Sequence, residues 1–201
     1  MLAPEVAEEI AEHLLLLQRP VELVAALDDG EASAEVEELL ADLVGLSELV
    51  SMSTDEHPRR PSFAVTSPGT ELALRFAGPP TGDALSSLVL AVLHAGGHPP
   101  KVDRATAERI ERLQIPVELE TWFATSCRSC GETLHSLGVI SVLNPLVRHT
   151  AINGAAFRRE ASARGITAVP VVFVNGERLV QGRSTIDRAL DALERLTGSP
   201  G

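Results

Sequence analysis

Pro116-Val117-Glu118-Leu119-Glu120-Thr121-Trp122-Phe123-Ala124-Thr125-Ser126-Cys127-Arg128-Ser129-Cys130 is the stretch that decides the fold. Val117 to Thr125 reads as an apolar strand, and the Cys-x-x-Cys pair sits where that strand ends and a helix begins. A thiol at a helix N-terminus faces unpaired backbone N–H groups and the positive end of the helix dipole, and both favour the thiolate. Arg128 adds positive charge beside it, with Ser129 completing the turn. Cys127 is therefore the expected nucleophile, and Cys130, one turn further in, the expected resolving thiol. A zinc half-site and a pair of inert buried thiols compete with this reading. No second Cys-x-x-Cys or paired histidine motif completes a four-ligand zinc site, so redox chemistry is favoured.

Outward from this stretch the chain repeats itself. Pro20-Val21-Glu22-Leu23 returns as Pro116-Val117-Glu118-Leu119, a period of 96 residues. The first copy gives a strand over 21–27 and an amphipathic helix from about Ser33 through Val36, Leu39, Leu40, Leu43 and Val44. Strand-like Ser62 to Thr66, a turn at Ser67-Pro68-Gly69, a short strand from Leu72 to Phe76 and a helix through Leu85, Leu88, Val89 and Leu93 follow. The second copy predicts strands over 117–125, 146–152, 171–174 and 178–180, with helices after Cys127, over 157–163 and over 185–196. Gly96-Gly97-His98-Pro99-Pro100 marks the join, with a connecting helix over 103–113.

Strand, helix, strand, helix, then a hairpin capped by a last helix resembles the thioredoxin layout. The expected fold is α/β: two tandem thioredoxin-like, or glutaredoxin-like, units, each a mixed four-stranded sheet flanked by helices. Residues 1–99 would form a unit without the dithiol and residues 100–201 the unit that carries it. The layout implies that Val169-Pro170 is a cis bond alongside the dithiol, with Val169 and Pro170 offering a backbone edge to a substrate peptide. It also implies that Thr121 occupies the place of thioredoxin's buried aspartate. Glu120 should face the opposite side, as surface. Superposing the repeats puts Glu31 and Ala34 where Cys127 and Cys130 stand, while Arg60-Pro61 matches Val169-Pro170. The first half thus keeps the fold without thiol chemistry.

Other candidates read more plainly. His94 and His98 are separated by the helix-breaking Gly96 and Gly97 and read as surface residues, so no metal site is expected. His135 and His149 read as surface or helix-face residues, Arg158, Arg159 and Arg164 as a solvated helix face, and Trp122 and Phe123 as core and active-site wall. No glycine-rich dinucleotide or phosphate loop occurs, so electrons must come from outside the chain. With 201 residues, 44% hydrophobic, the chain can bury a core, and its net charge of -11 argues against nucleic acid and anionic membranes. Met1 to Leu17 has neither the basic start nor the apolar length of a signal peptide, and no stretch has transmembrane length. Two cysteines three apart suit a cytoplasmic redox protein better than a disulfide scaffold.

The chain is similar to the N-terminal domain of the F component of alkyl hydroperoxide reductase, a family of bacterial flavoproteins. The resemblance rests on Leu27-Asp28-Asp29, Arg75-Phe76-Ala77-Gly78, Ser87-Leu88-Val89-Leu90-Ala91, Gly96-Gly97-His98-Pro99 and Ser126-Cys127-x-x-Cys130. It continues in Val142-Leu143-Asn144-Pro145, His149-Thr150-Ala151-Ile152 and Val169-Pro170-x-Val172-Phe173-Val174-Asn175-Gly176. It implies a dithiol that takes electrons from a thioredoxin-reductase-like flavoprotein, itself using FAD and NAD(P)H, and passes them to a peroxiredoxin, the C component of the same reductase. The redox-active disulfide would be the chain's only redox group, with no bound cofactor. The family's chain continues into FAD- and NADH-binding domains, whereas this one stops at Gly198-Ser199-Pro200-Gly201, implying an excised domain or a separate carrier. The family also places a glutamate near the dithiol where this chain has Ala84, leaving neighbouring Asp83 as the substitute. Two rival functions remain: a glutaredoxin-like general protein disulfide reductase and a non-catalytic docking module.

Overall fold

The computed structural model describes residues 2–70 and 74–198, and in these it contains seven helices and eight strands. Pro4, suited to a first turn because it has no N–H to leave unpaired, opens α1 (Pro4–Leu14). Strand β1 (Val21–Ala26) alternates toward the core and leads into α2 (Glu31–Leu46), which buries Val36, Leu39, Leu40 and Leu43 at helical spacing. Strands β2 (Val50–Thr54), β3 (Ser62–Thr66) and β4 (Leu74–Ala77) precede α3 (Asp83–Ala95). Helix α4 (Arg104–Glu111) is capped by the Asp103 carboxylate, which accepts from the Thr106 amide. The order then repeats as β5 (Val117–Phe123), α5 (Cys130–Leu143), β6 (Val147–Asn153), a short α6 (Arg158–Ala163), β7 (Val171–Val174), β8 (Glu177–Gln181) and α7 (Ile186–Thr197).

The two thioredoxin-like strand sets fuse into one sheet of order β2-β1-β3-β4-β6-β5-β7-β8. In each set a parallel pair, β1 with β2 or β5 with β6, carries an antiparallel hairpin on its other side. The junction is the parallel ladder of β4 on β6, with Leu74 opposite His149 and Ala77 opposite Ile152. Six helices cover one face. Helices α1, α2 and α3 pack with Leu23, Phe63 and Phe76, and α4, α5 and α7 pack with Val117, Leu119 and Val172. The α6 region lies on the other face, where Trp122, Ile152, Val171 and Phe173 meet Phe157 and Ala161.

An ionic cluster also spans the sheet junction. Arg59, in the loop before β3, donates to Glu120 of β5 at 2.5 Å and to Glu160 of α6 at 2.6 Å. Arg164 pairs with both carboxylates and lies over the rings of Trp122 and Phe173. Glu120 does face away from Thr121, yet it is a held ion-pair partner, and Arg164 is a packed cation, unlike the exposed Arg158 and Arg159. Hydrogen bonding from Arg59 holds the Glu160 carboxyl below the usual range.

Further features depart from the sequence reading. Helix α1 occupies a segment whose pattern speaks only against a leader, and β2 escapes sequence reading because an edge strand of Val-Ser-Met-Ser-Thr has little apolar alternation. The strand expected from Leu72 is seen from Leu74, and Leu72 itself lies outside the described residues. His94 and His149 are not surface residues: they are 7% and 1% exposed, His94 in the last turn of α3 and His149 on the helix-covered side of β6. With half-buried His135 they line a small cavity between α3, α5, β4 and β6, with Ser87 on its wall. The other lining groups are all aliphatic or aromatic side chains or glycine, so no carboxylate compensates a charged imidazole.

Burial holds all three imidazoles below their ordinary range, His149 to about 3. The unfolded chain therefore binds more protons than the folded one as pH drops below about 6.5, and stability must fall in that direction. His149 alone should cost on the order of 2 kcal/mol between about pH 6.5 and 5, above the range where carboxylates titrate. Denaturant unfolding at these two pH values measures it. A His149→Gln variant should lose much of the acid sensitivity, and an unchanged pH dependence would refute the assignment.

Candidate redox centre

Cys127 and Cys130 are joined in a disulfide, with their Cα atoms 5.4 Å apart. Strand β5 ends at Phe123, a turn carries the chain through Cys127, and Cys130 is the first residue of α5. Cys127 is half-buried, whereas Cys130 is 1% exposed and packs in the same apolar cluster as Phe123, Leu134 and Ala84. The N-terminus of α5 has no side-chain cap; the Cys130 amide donates to the Cys127 carbonyl at 3.1 Å, and the positive end of the helix dipole faces charge that develops on sulfur. The Ser129 hydroxyl lies 3.6 Å from Cys127 Sγ, close enough to share a hydrogen bond with it. Arg128 is exposed on the same turn.

On the other side of Cys127 Sγ, at 3.7 Å, lies the Val169 carbonyl oxygen. The Val169–Pro170 bond is cis, as is Arg60–Pro61. The turn, Ser129 and Val169 thus converge on the outer sulfur. Thr121 stands apart from this group: it is fully buried on β5, and its Oγ1 shares a 2.9 Å hydrogen bond with His149 Nε2. The alternation Val147, His149, Ala151 could have revealed this histidine, because it places all three on the covered side of β6. Asp83 opens α3 with an exposed side chain, and its backbone abuts Gly131, next to Cys130. Trp122 packs on the opposite face under α6, so of the two strand aromatics only Phe123 reaches the cysteine cluster.

The first half's counterpart differs from the superposition of the repeats. Val21 and Val117 start equivalent strands 96 residues apart, but α2 begins at Glu31 and α5 at Cys130, 99 apart, so the run from strand start to helix start is three residues shorter in the first half. Aligning the helix starts places Asp28 and Glu31 opposite Cys127 and Cys130. Asp28 Oδ1 accepts from the Gly30 amide at 3.0 Å and from the Ser33 hydroxyl at 2.6 Å, and these bonds hold its carboxyl below the usual range. A fixed carboxylate sits where the second half has an oxidisable sulfur.

Sequence comparison connects this geometry with known proteins. The chain is 43% identical over 188 residues to the F component of alkyl hydroperoxide reductase from Escherichia coli, and 40% identical over 200 residues to that of Pseudomonas putida, covering 92% and 99% of this chain. The chain belongs to the family of alkyl hydroperoxide reductase F components, matching their N-terminal domain. It spans only 36–38% of these relatives' length. No protein-family model matches. The fold is shared with the N-terminal domain of the alkyl hydroperoxide reductase AhpF from Enterococcus faecalis, at a TM-score of 0.89 and 21% identity over 96% of this chain and all of that one. It is also shared with a protein disulfide oxidoreductase from Aeropyrum pernix, at 0.83 and 20% over 98% of this chain and 94% of that one. A thioredoxin fold carrying a Cys-x-x-Cys disulfide, within this family, makes the chain a thiol–disulfide oxidoreductase. Among the described residues no cluster of three or more His, Cys, Asp or Glu is placed to hold a metal, and no helix is long and apolar enough to cross a membrane.

The difference in exposure makes a chemical prediction. After reduction and brief treatment with iodoacetamide, peptide mass spectrometry should find Cys127 modified at least about tenfold faster than Cys130. Equal labelling would show that the helix start does not separate the two thiols.

Proposed function

We propose that this chain is a cytoplasmic dithiol relay that takes two electrons from a flavoprotein of the thioredoxin-reductase type and delivers them to an oxidised peroxiredoxin. In this reading residues 1–99 form a thiol-free unit and residues 100–201 the unit that does the chemistry. The observation that supports it best is the asymmetry at the disulfide: one sulfur at the mouth, beside the Val169 carbonyl, and the other sealed behind it.

In the reduced chain Cys127 ionises, losing its proton to solvent, and its thiolate attacks one sulfur of the partner's disulfide. The partner's other sulfur leaves as a thiolate and takes up a proton. Cys130 then loses its proton and attacks Cys127 Sγ, which breaks the mixed disulfide, releases the second partner thiol and leaves the Cys127–Cys130 disulfide. A reduced dithiol of the flavoprotein, maintained by FAD and NAD(P)H, reverses the change. Arg128 and the Ser129 hydroxyl favour the Cys127 thiolate, and Val169 and Pro170 give the partner's extended segment an edge to pair with. Asp83 lies near enough to the dithiol helix to support proton movement, and Thr121 fills the buried position beneath it.

Purified chain supplied with NAD(P)H, a thioredoxin-reductase-like flavoprotein, the peroxiredoxin component of alkyl hydroperoxide reductase and a hydroperoxide should support continuous NAD(P)H oxidation. Cys127→Ser should abolish it, and Cys130→Ser should trap a mixed disulfide on non-reducing gels. Turnover with glutathione-linked disulfides that matches turnover with the peroxiredoxin would favour a general disulfide reductase. Undiminished transfer in Cys127→Ser would reduce the chain to a docking module.

A further inference from the structure

The half of the chain without a thiol reaches into the redox turn through the start of α3. Gly82, at φ 62°, comes so close to the strand-side flank of the turn that a Cβ there would lie 2.6 Å from the Thr125 carbonyl oxygen. The Thr81 and Thr125 hydroxyls are 3.3 Å apart. On the helix side of the turn, Gly131 follows Cys130, and a Cβ on it would lie 3.0 Å from the Asp83 carbonyl oxygen and 3.3 Å from Asp83 Cβ. The buried Ser87 hydroxyl donates to the Gly131 carbonyl at 3.1 Å. Contacts from α3 thus grip the residues just before and just after the Cys127–Cys130 segment.

We infer that Ser87 is a positioning residue for thiol–disulfide exchange, setting the reactivity of Cys127 by fixing the first turn of α5 against α3. This rests on Cys127 being the attacking sulfur. The positive end of α5, which no side chain caps, stabilises the thiolate only while the first turn keeps its attitude toward the sulfur. The Gly131 carbonyl lies in that same turn, one residue from Cys130, with its negative end toward α3. The Ser87 donor offsets part of that negative charge and ties down the turn's attitude. Without it the turn is free to tilt, the Gly131 carbonyl loses its second donor near the sulfurs, and both effects favour the protonated thiol.

The test is the pH dependence of Cys127 alkylation in the reduced full chain, followed by peptide mass spectrometry so that the reacting sulfur is identified. Ser87→Ala should shift the profile to higher pH and slow labelling at neutral pH about threefold. Ser87→Thr, which keeps the hydroxyl, should follow the parent, as should Ser86→Ala at the exposed neighbouring position. Superimposable profiles for Ser87→Ala and the parent would overturn the inference, and so would a threonine variant that behaves like alanine. If Ser87→Ala does not fold, Gly131→Ala decides, because its Cβ pushes against Asp83 and should shift the profile the same way; no shift overturns the inference. Labelling that begins at Cys130 in the parent would instead undo the assignment of Cys127 on which it rests.

Discussion

One short ladder, β4 running parallel to β6, holds the molecule together. Without it there are two four-stranded sheets, each with a bare inner edge and its own helices. With it the eight strands share one curved surface, and α3, which follows β4, is laid beside α5, which precedes β6. The redox turn is therefore walled by residues some forty positions away in the chain, including Gly82, Asp83 and Ala84. The Arg59, Glu120, Glu160 and Arg164 cluster acts on the opposite face of the same junction. Such partly exposed pairs are individually weak, and this one draws its strength from linking three segments and stacking a guanidinium on two aromatic rings.

The comparison of the two halves shows how a thioredoxin unit can lose its chemistry and keep its shape. A helix start needs some partner for its N–H groups. In the second half that need is left open, ready for a thiolate. In the first the place of the outer sulfur is taken by Asp28, whose carboxylate accepts from the Gly30 amide and the Ser33 hydroxyl just ahead of a helix that likewise has no side-chain cap. The first half contributes a rigid wall, and only the second contributes an exchangeable bond.

Much of this was legible in the sequence because the decisive signals are local. The strand leading to Cys127, the hairpin around Asn175-Gly176 and the amphipathic faces of α2 and α7 all emerge from alternation or helical spacing, and the observed elements fall within a few residues of their expected places. What escaped is non-local. The β4–β6 junction depends on which edges meet, and β2 lies on an outer edge where polar residues blur the pattern. His149 misleads by residue type, although its neighbours Val147 and Ala151 already mark a covered face. Ser87 is equally visible in spacing, on the same side of its helix as Ala84, Leu88 and Ala91, but nothing local says that its hydroxyl finds the helix after the dithiol.

Joining two sheets edge to edge also removes half of the free edges that the separate pieces would show. The two that remain are β2, with Ser51, Ser53 and Thr54, and β8, with Glu177, Arg178 and Gln181. Both are five residues long, and polar or charged side chains dominate them. Short, polar borders are poor templates for strands of other molecules, so the joined sheet is guarded against growing by edge-to-edge addition.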